Sequence, residues 1–228
     1  MPTSAPNLFA DGTRSDDWEA YNPALDKPLL NRAIYGTYPP GSTYKPFMAM
    51  AALQLGKRAP SVVVNDPGFY NYGGRTFRSH EGGLGGVDMH RAIQYSSNTY
   101  FYSLGVELGV DTIHDFMKPL GFGQITGIDL GGELRGVLPS TAWKRQINKR
   151  AEAKRWFPGE TVSLGIGQGY NNFTMLQLAL AEATLANGGI RYRPHLAKAV
   201  RDSVTGMVSE LEQPAGESLG YAPKHVEV

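Results

Sequence analysis

Gly41-Ser42-Thr43-Tyr44-Lys45-Pro46 places a hydroxyl and an amine three residues apart, immediately ahead of the apolar run Phe47-Met48-Ala49-Met50-Ala51-Ala52-Leu53. Three residues are close to one helical turn, so both side chains share a face. An ammonium pressed against an apolar helix gives up its proton more readily than one in water, and a neutral amine beside a hydroxyl can act as its base. Ser42 would then be a nucleophile toward a carbonyl. Helix N-terminal N–H groups would favour the anion that develops as it attacks. A Ser-x-x-Lys pair in isolation is more often a capping serine and a solvated lysine. Here the pair follows Pro39-Pro40 and precedes a buried-looking segment, which is the setting that covers a lysine stem and leaves its head toward the serine.

Ser96-Ser97-Asn98 follows Ser42 by 54 residues and lies between two stretches of helical character. A serine hydroxyl can relay a proton, and an asparagine amide can bind both a lysine and a substrate amide. By itself Ser-x-Asn reads as a helix cap. Taken with Ser42 and Lys45, it supplies two of the three elements of a known acyl-serine signature.

These residues need elements to hold them. Residues 1–40 carry many turn formers and read as an extended approach. Tyr44 to Gly56 reads as a buried helix, with Pro46 tolerated in its first turn and glycine at its end. Short strands and a long surface loop are expected over 60–87. Helices are expected from an Asp88 cap through Tyr95, from Asn98 or Thr99 to Leu108, and from Asp111 to Leu120. Ser140 caps an exposed basic helix, Ala142 through Ala153. Glu160 to Ile166 alternates as a strand, Phe173 to Asn187 has helical spacing, and Ile190 to Val200 returns as one or two strands. The result is a helix-dominated α+β domain.

Bulk properties narrow the function classes. The 228 residues, 41% of them apolar, are enough for one large domain with a real core. Net charge is +1, from 22 Lys+Arg and 21 Asp+Glu, so no one-signed field points to nucleic acid. The absence of cysteine removes disulfides, thiolate metal sites and thiol nucleophiles. No run of about 18 apolar residues occurs, and no signal pattern opens the chain, so the chain as it stands is expected to be soluble, with any membrane anchor of a parent protein removed.

The stretches N-R-A-I-Y-G-T-Y-P-P-G-S-T-Y-K-P-F, N-D-P-G-F-Y, S-S-N-T-Y-F-Y, G-F-G-Q-I-T-G-I-D-L and S-L-G-I-G-Q-G-Y resemble class B penicillin-binding proteins, in family order and over roughly residues 7 to 200. Asn7-Leu8-Phe9 and Trp143-Lys144 are most similar to the elongation-specific branch of that family. The resemblance implies the α+β transpeptidase fold shared with serine β-lactamases, as a helical part plus part of an antiparallel sheet. It further implies that residues 1–228 are one transpeptidase domain, lacking an N-terminal membrane anchor and pedestal and incomplete at the C-terminus.

Carried over by position, the resemblance makes Ser42 the acylated nucleophile and Lys45 its base. Ser96 becomes a proton shuttle, and Asn98 the holder of Lys45 and the substrate amide. Ser42 and Asn98 are thus also the substrate-binding residues, and the Ser42 N–H would form half of an oxyanion hole. The implied activity is peptidoglycan D,D-transpeptidation, with attack on D-Ala-D-Ala stem peptides and inhibition by β-lactams. No cofactor is implied. Expected partners are stem peptides, β-lactams, a SEDS-family glycosyltransferase and other elongation-complex proteins, at the periplasmic side of the inner membrane. One departure stands out: no lysine here is followed by Thr-Gly, the family's third element. Truncation before that strand is the expected reason.

The competing readings within this fold are a serine β-lactamase and a non-catalytic sensor or scaffold. Other features carry less. His80, Glu81, Asp88 and His90 cluster in a glycine-rich stretch and read as loop chemistry rather than a metal site; some relatives hold zinc near here, but the missing cysteine weakens that transfer. Gly165-Ile166-Gly167-Gln168-Gly169 lacks the lysine and Ser/Thr of a phosphate loop. The basic run Lys144, Arg145, Lys149, Arg150, Lys154, Arg155 reads as a solvated face, and His114 and His195 lack the partners of a triad.

Overall fold

The computed structural model describes residues 12, 15–21, 27, 29–80 and 82–227. Asn7-Leu8-Phe9 and Glu81 lie outside them. In chain order the first elements are α1 (Ser15–Tyr21), α2 (Arg32–Tyr35), β1 (Thr37–Tyr38), a 3-10 turn (Gly41–Tyr44) and α3 (Lys45–Gln54). The segment before Pro39 is therefore not simply extended. Asn31 caps α2 by accepting from the Ala33 N–H at 3.2 Å, turn chemistry that starts a helix as readily as a loop. Pro46 sits in the first turn of α3 as expected, and Lys45 through Leu53 are buried apart from the proline. A helix covered on every side is the central pillar of a domain rather than its surface.

Around it stand β2 (Val64–Asp66), β3 (Phe69–Tyr72), β4 (Arg75–Arg78), β5 (Gly85–Val87), α4 (Met89–Gln94), α5 (Asn98–Leu108) and α6 (Val110–Met117). Strands β2 and β5 pair antiparallel, as do β3 and β4. Asp88 caps α4 through the Arg91 N–H at 2.9 Å, and Ser97 caps α5 through the Tyr100 N–H at 3.1 Å. Two buried faces meet where Gly105 of α5 approaches Gly165: a Cβ at Gly165 would lie 2.2 Å from the Phe101 carbonyl oxygen, so only glycine lets the backbones come this close.

The remaining elements are α7 (Thr141–Ile147), α8 (Ala151–Lys154), α9 (Pro158–Leu164), β6 (Phe173–Thr174), α10 (Met175–Ala186), β7 (Ile190–Arg191), β8 (Ala199–Arg201), β9 (Val208–Glu210), β10 (Glu217–Ser218) and α11 (Pro223–Val226). Three further antiparallel pairs form, β1 with β6, β7 with β10 and β8 with β9. Among the described residues every sheet has two strands, consistent with an α+β fold dominated by helices.

Two expectations fail here. The basic stretch is not one exposed helix but α7 and α8, separated at Asn148, whose backbone is extended. Lys144 within it is only 3% exposed. Glu160 to Ile166 is not a strand: Pro158 pre-sets the first turn of α9, and the Glu160 carboxylate accepts from the Phe157 N–H at 2.8 Å. Thr161, Val162 and Leu164 are all buried, so the segment alternates in chemistry without alternating in burial. No helix among the described residues is long and apolar enough to cross a membrane.

An aromatic cluster joins these parts. Tyr44 packs against Phe47, Phe122 and Phe173 with ring centroids 5.4–6.3 Å apart, and all four are essentially without exposure. Fully burying side chains of this size contributes about 1.5–3 kcal/mol each. The start of α3 is thereby clamped between α10's leading strand and the loop after α6.

Candidate active site

The apolar interior of α3 continues to its first residue, so the Lys45 stem is buried, 1% exposed, while Ser42 on the 3-10 turn remains open to solvent. A buried ammonium must find hydrogen-bond acceptors. Lys45 Nζ donates to the Ser96 carbonyl at 2.5 Å, to Ser96 Oγ at 2.9 Å and to Asn98 Oδ1 at 2.8 Å. It also lies 5.6 Å from the centroid of Phe101. Ser96 Oγ in turn donates to Ser42 Oγ at 2.9 Å. One continuous line of polar atoms runs from the exposed nucleophile candidate, through a second hydroxyl, to the buried amine.

Ser96 serves twice, by its carbonyl and by its hydroxyl, because its backbone is left-handed at φ +55°. That conformation costs an L-residue about 1–2 kcal/mol and turns up where function requires it. Nothing in the sequence marks it. The loop that carries it is held by the Ser96 N–H on the Ile93 carbonyl at 3.1 Å and the Ser97 N–H on the Ala92 carbonyl at 2.9 Å.

The Ser42 turn has its own back wall. Gly41 takes φ +60° and donates its N–H to the Gly167 carbonyl at 3.0 Å. Gly167 is at φ +68°, and a Cβ there would stand 2.3 Å from the Gly41 oxygen. The glycine-rich segment after α9 thus supports Ser42 from behind.

The structure brings Ser42, Lys45, Ser96 and Asn98 together, although at least 51 residues separate the first two from the last two in sequence. A hydroxyl linked through a second hydroxyl to a buried amine is an arrangement for acyl transfer. The model of the penicillin-binding protein transpeptidase domain matches residues 2–224. The chain belongs to the penicillin-binding protein transpeptidase family. The peptidoglycan D,D-transpeptidase MrdA of Acinetobacter baumannii is 41% identical over 201 residues, 87% of this chain and 29% of that protein. The crystal structure of Pseudomonas aeruginosa PBP2 in complex with WCK 5153 superposes with a TM-score of 0.85 at 38% identity, covering 100% of this chain and 50% of that one. The complex between PBP2 and MreC from Helicobacter pylori matches with a TM-score of 0.78 at 27% identity, over 97% of this chain and 39% of that one. The chain therefore spans under a third of the Acinetobacter relative and half or less of these solved transpeptidases.

The other candidates fall elsewhere. His80 and His90 are exposed, and the Asp88 carboxylate is occupied as the cap of α4; among the described residues no group of three ligating side chains could hold a metal. His114 and His195 face the Leu138 and Ala197 carbonyls at 3.2 and 3.3 Å. Lys144 is the reverse of a solvated charge. Its Nζ pairs with Glu160 and lies 5.0–5.5 Å from the ring centroids of Trp156, Phe157 and Tyr170. Sequence reasoning also passed over Asp66, which reads as a turn former in Asn65-Asp66-Pro67-Gly68 but is 1% exposed.

Proposed function

We propose that this chain carries the nucleophile of a peptidoglycan D,D-transpeptidase and is acylated on Ser42. The line Ser42–Ser96–Lys45, with Asn98 on the same ammonium, is the observation that supports the reading. Hydroxyl protons rotate freely between partners, so the same heavy atoms serve either direction of transfer. With Lys45 neutral, the Ser42 proton moves to Ser96 while the Ser96 proton moves to Nζ. Ser42 Oγ forms a bond to the carbonyl carbon of the penultimate D-Ala. The reversed relay then protonates the terminal D-Ala nitrogen as its bond to that carbon breaks. An amine of a neighbouring stem attacks the acyl-serine, forms the cross-link and restores the Ser42 hydroxyl. The Ser42 N–H would give half of the oxyanion hole, and the Asn98 amide would hold the stem's backbone amide.

None of the lysines in this sequence is followed by Thr-Gly, so the carboxylate-binding element and the second oxyanion donor of the family would have to come from outside these 228 residues. We infer a setting in a cell-wall elongation complex at the periplasmic face of the inner membrane; the D,D-transpeptidase relatives and the PBP2–MreC complex support the cell-wall part of that reading. A SEDS-family glycosyltransferase and an MreC-like scaffold are the partners that follow from it. The test is mass spectrometry of the polypeptide, as its gene encodes it, after incubation with a β-lactam. A stoichiometric adduct on the Ser42 peptide that is absent from Ser42→Ala is the expected result. Rapid turnover without a lasting adduct would point to a β-lactamase, and an unmodified Ser42 to a binding module.

A further inference from the structure

Asp66 closes β2 with a carboxylate that the proposed chemistry does not use. Both its oxygens are engaged by neutral donors: Oδ1 accepts the Gly68 N–H at 2.8 Å, and Oδ2 accepts the Ser97 hydroxyl at 2.5 Å across 31 residues of sequence. Asp66 is 1% exposed and Ser97 is 0% exposed. Burying a carboxylate among neutral donors is costly compared with burying a small apolar residue. Capping does not explain it, because the cap is the Tyr100 N–H on Ser97 Oγ and uses no atom of Asp66.

The location of the contact supplies the reason. Ser97 lies between Ser96 and Asn98, the two residues whose side chains hold Lys45. The Asp66 bond fastens this junction of α4 and α5 to the β2–β5 pair at the point where Ser96 is left-handed. Released from it, Ser96 would relax toward negative φ, and such a rotation carries both its carbonyl and its hydroxyl away from Lys45. We propose that Asp66 is a positioning residue for the Lys45 network, acting through Ser97 to hold Ser96 in its left-handed conformation.

The kinetic consequence rests on the acyl-transfer reading; the geometric one does not. Asp66→Asn keeps the shape and the Gly68 turn but turns a donor toward a hydroxyl that needs an acceptor. Ser97→Ala removes the same bond from the other side together with the α5 cap, and serves if Asp66→Asn does not fold. In the gene-encoded protein, labelling of Ser42 by a fluorescent penicillin is expected to slow about 10- to 100-fold in either variant, the loss that accompanies a displacement near 1 Å. In a Ser96→Ala background the same substitutions are expected to cost much less than in the parental one, because the hydroxyl relay is already gone and only the backbone carbonyl on Lys45 is left to shift. A crystal structure of the variant is expected to show Ser96 Oγ beyond hydrogen-bond reach of Ser42. Equal slowing in both backgrounds, or Ser96 still left-handed and bonded to Ser42, overturns the proposal. If parental Ser42 is never labelled, the acyl-transfer reading fails while the variant crystal structure still decides the positioning role.

Discussion

Gly167→Ala isolates the support behind Ser42. The new methyl carries two penalties. The first is the left-handed backbone at φ +68°, about 1–2 kcal/mol for an L-residue. The second is a Cβ placed 2.3 Å from the Gly41 carbonyl oxygen and 2.6 Å from Tyr44 Cβ. The oxygen belongs to backbone and Tyr44 is wholly buried, so neither can swing aside. Restoring ordinary contact requires Gly41 and Gly167 to separate by roughly 1 Å. That separation stretches the 3.0 Å bond from the Gly41 N–H to the Gly167 carbonyl, worth about 1 kcal/mol, and overpacking adds about 1–3 kcal/mol. The sum is roughly 3–6 kcal/mol, expected to lower the Tm by on the order of 10 °C for a protein of this length. Because Gly41 is bonded to Ser42, the same 1 Å shift misplaces the proposed nucleophile and is expected to slow β-lactam acylation about 100-fold. Gly56→Ala is the control. Gly56 has φ +60° with nothing near its absent Cβ, so it carries the conformational penalty alone and leaves acylation at the parental rate. Thermal melts and acylation kinetics on the three proteins decide the matter. Equal behaviour of Gly167→Ala and Gly56→Ala would refute the reasoning.

Lys144→Ala, which leaves the Glu160 carboxylate without its cation inside an aromatic pocket, is expected to cost about 3 kcal/mol in denaturant unfolding. Lys149→Ala in the same basic run, on an exposed residue, is expected to stay within about 0.5 kcal/mol, and equal costs would return Lys144 to the surface. Burial pushes the Tyr221 phenol up to about 12 from an ordinary value of 10.0. The folded state therefore retains a proton that the unfolded state loses, so this group's stabilisation is complete below pH 10 and is lost as pH rises through about 12. Tyr221→Phe keeps the ring stacked on Phe116 at 5.6 Å and removes a buried hydroxyl without a partner. It is expected to raise the Tm and flatten the alkaline slope between pH 9.5 and 11.5; an unchanged slope would show that the phenol ionises freely in the folded protein.

What the sequence made legible was local chemistry. Ser42 and Lys45 could be paired because one helical turn is a fixed geometry. Asp88, Ser97 and Ser140 could be expected near helix starts because each puts an oxygen where free N–H groups collect. The features that escaped depend on partners remote in sequence. Lys144 looks identical to Lys149 until the rings of Trp156, Phe157 and Tyr170 close around it. Asp66 is a turn residue until Ser97 arrives. The α9 segment has the alternation of a strand, and Pro158 and Glu160, whose capping geometry overrides that pattern, sit at positions that either reading tolerates. Cysteine arithmetic and net charge narrowed the function class without locating any of this.

The left-handed Ser96 and the buried Lys45 each carry an energetic cost, and each relieves the other. An amine this deep in an apolar helix requires acceptors on every donor, and the loop can provide two from one residue only if that residue leaves the ordinary backbone region. Conversely, a serine strained by about 1–2 kcal/mol would relax unless bonds of comparable or greater worth depended on its staying. The two costs therefore enforce a single arrangement in which the Ser96 hydroxyl must point past Lys45 toward Ser42. Ser42 is thereby aligned by folding, and on the proposed acyl-transfer reading substrate binding energy is left free to act on the acyl group.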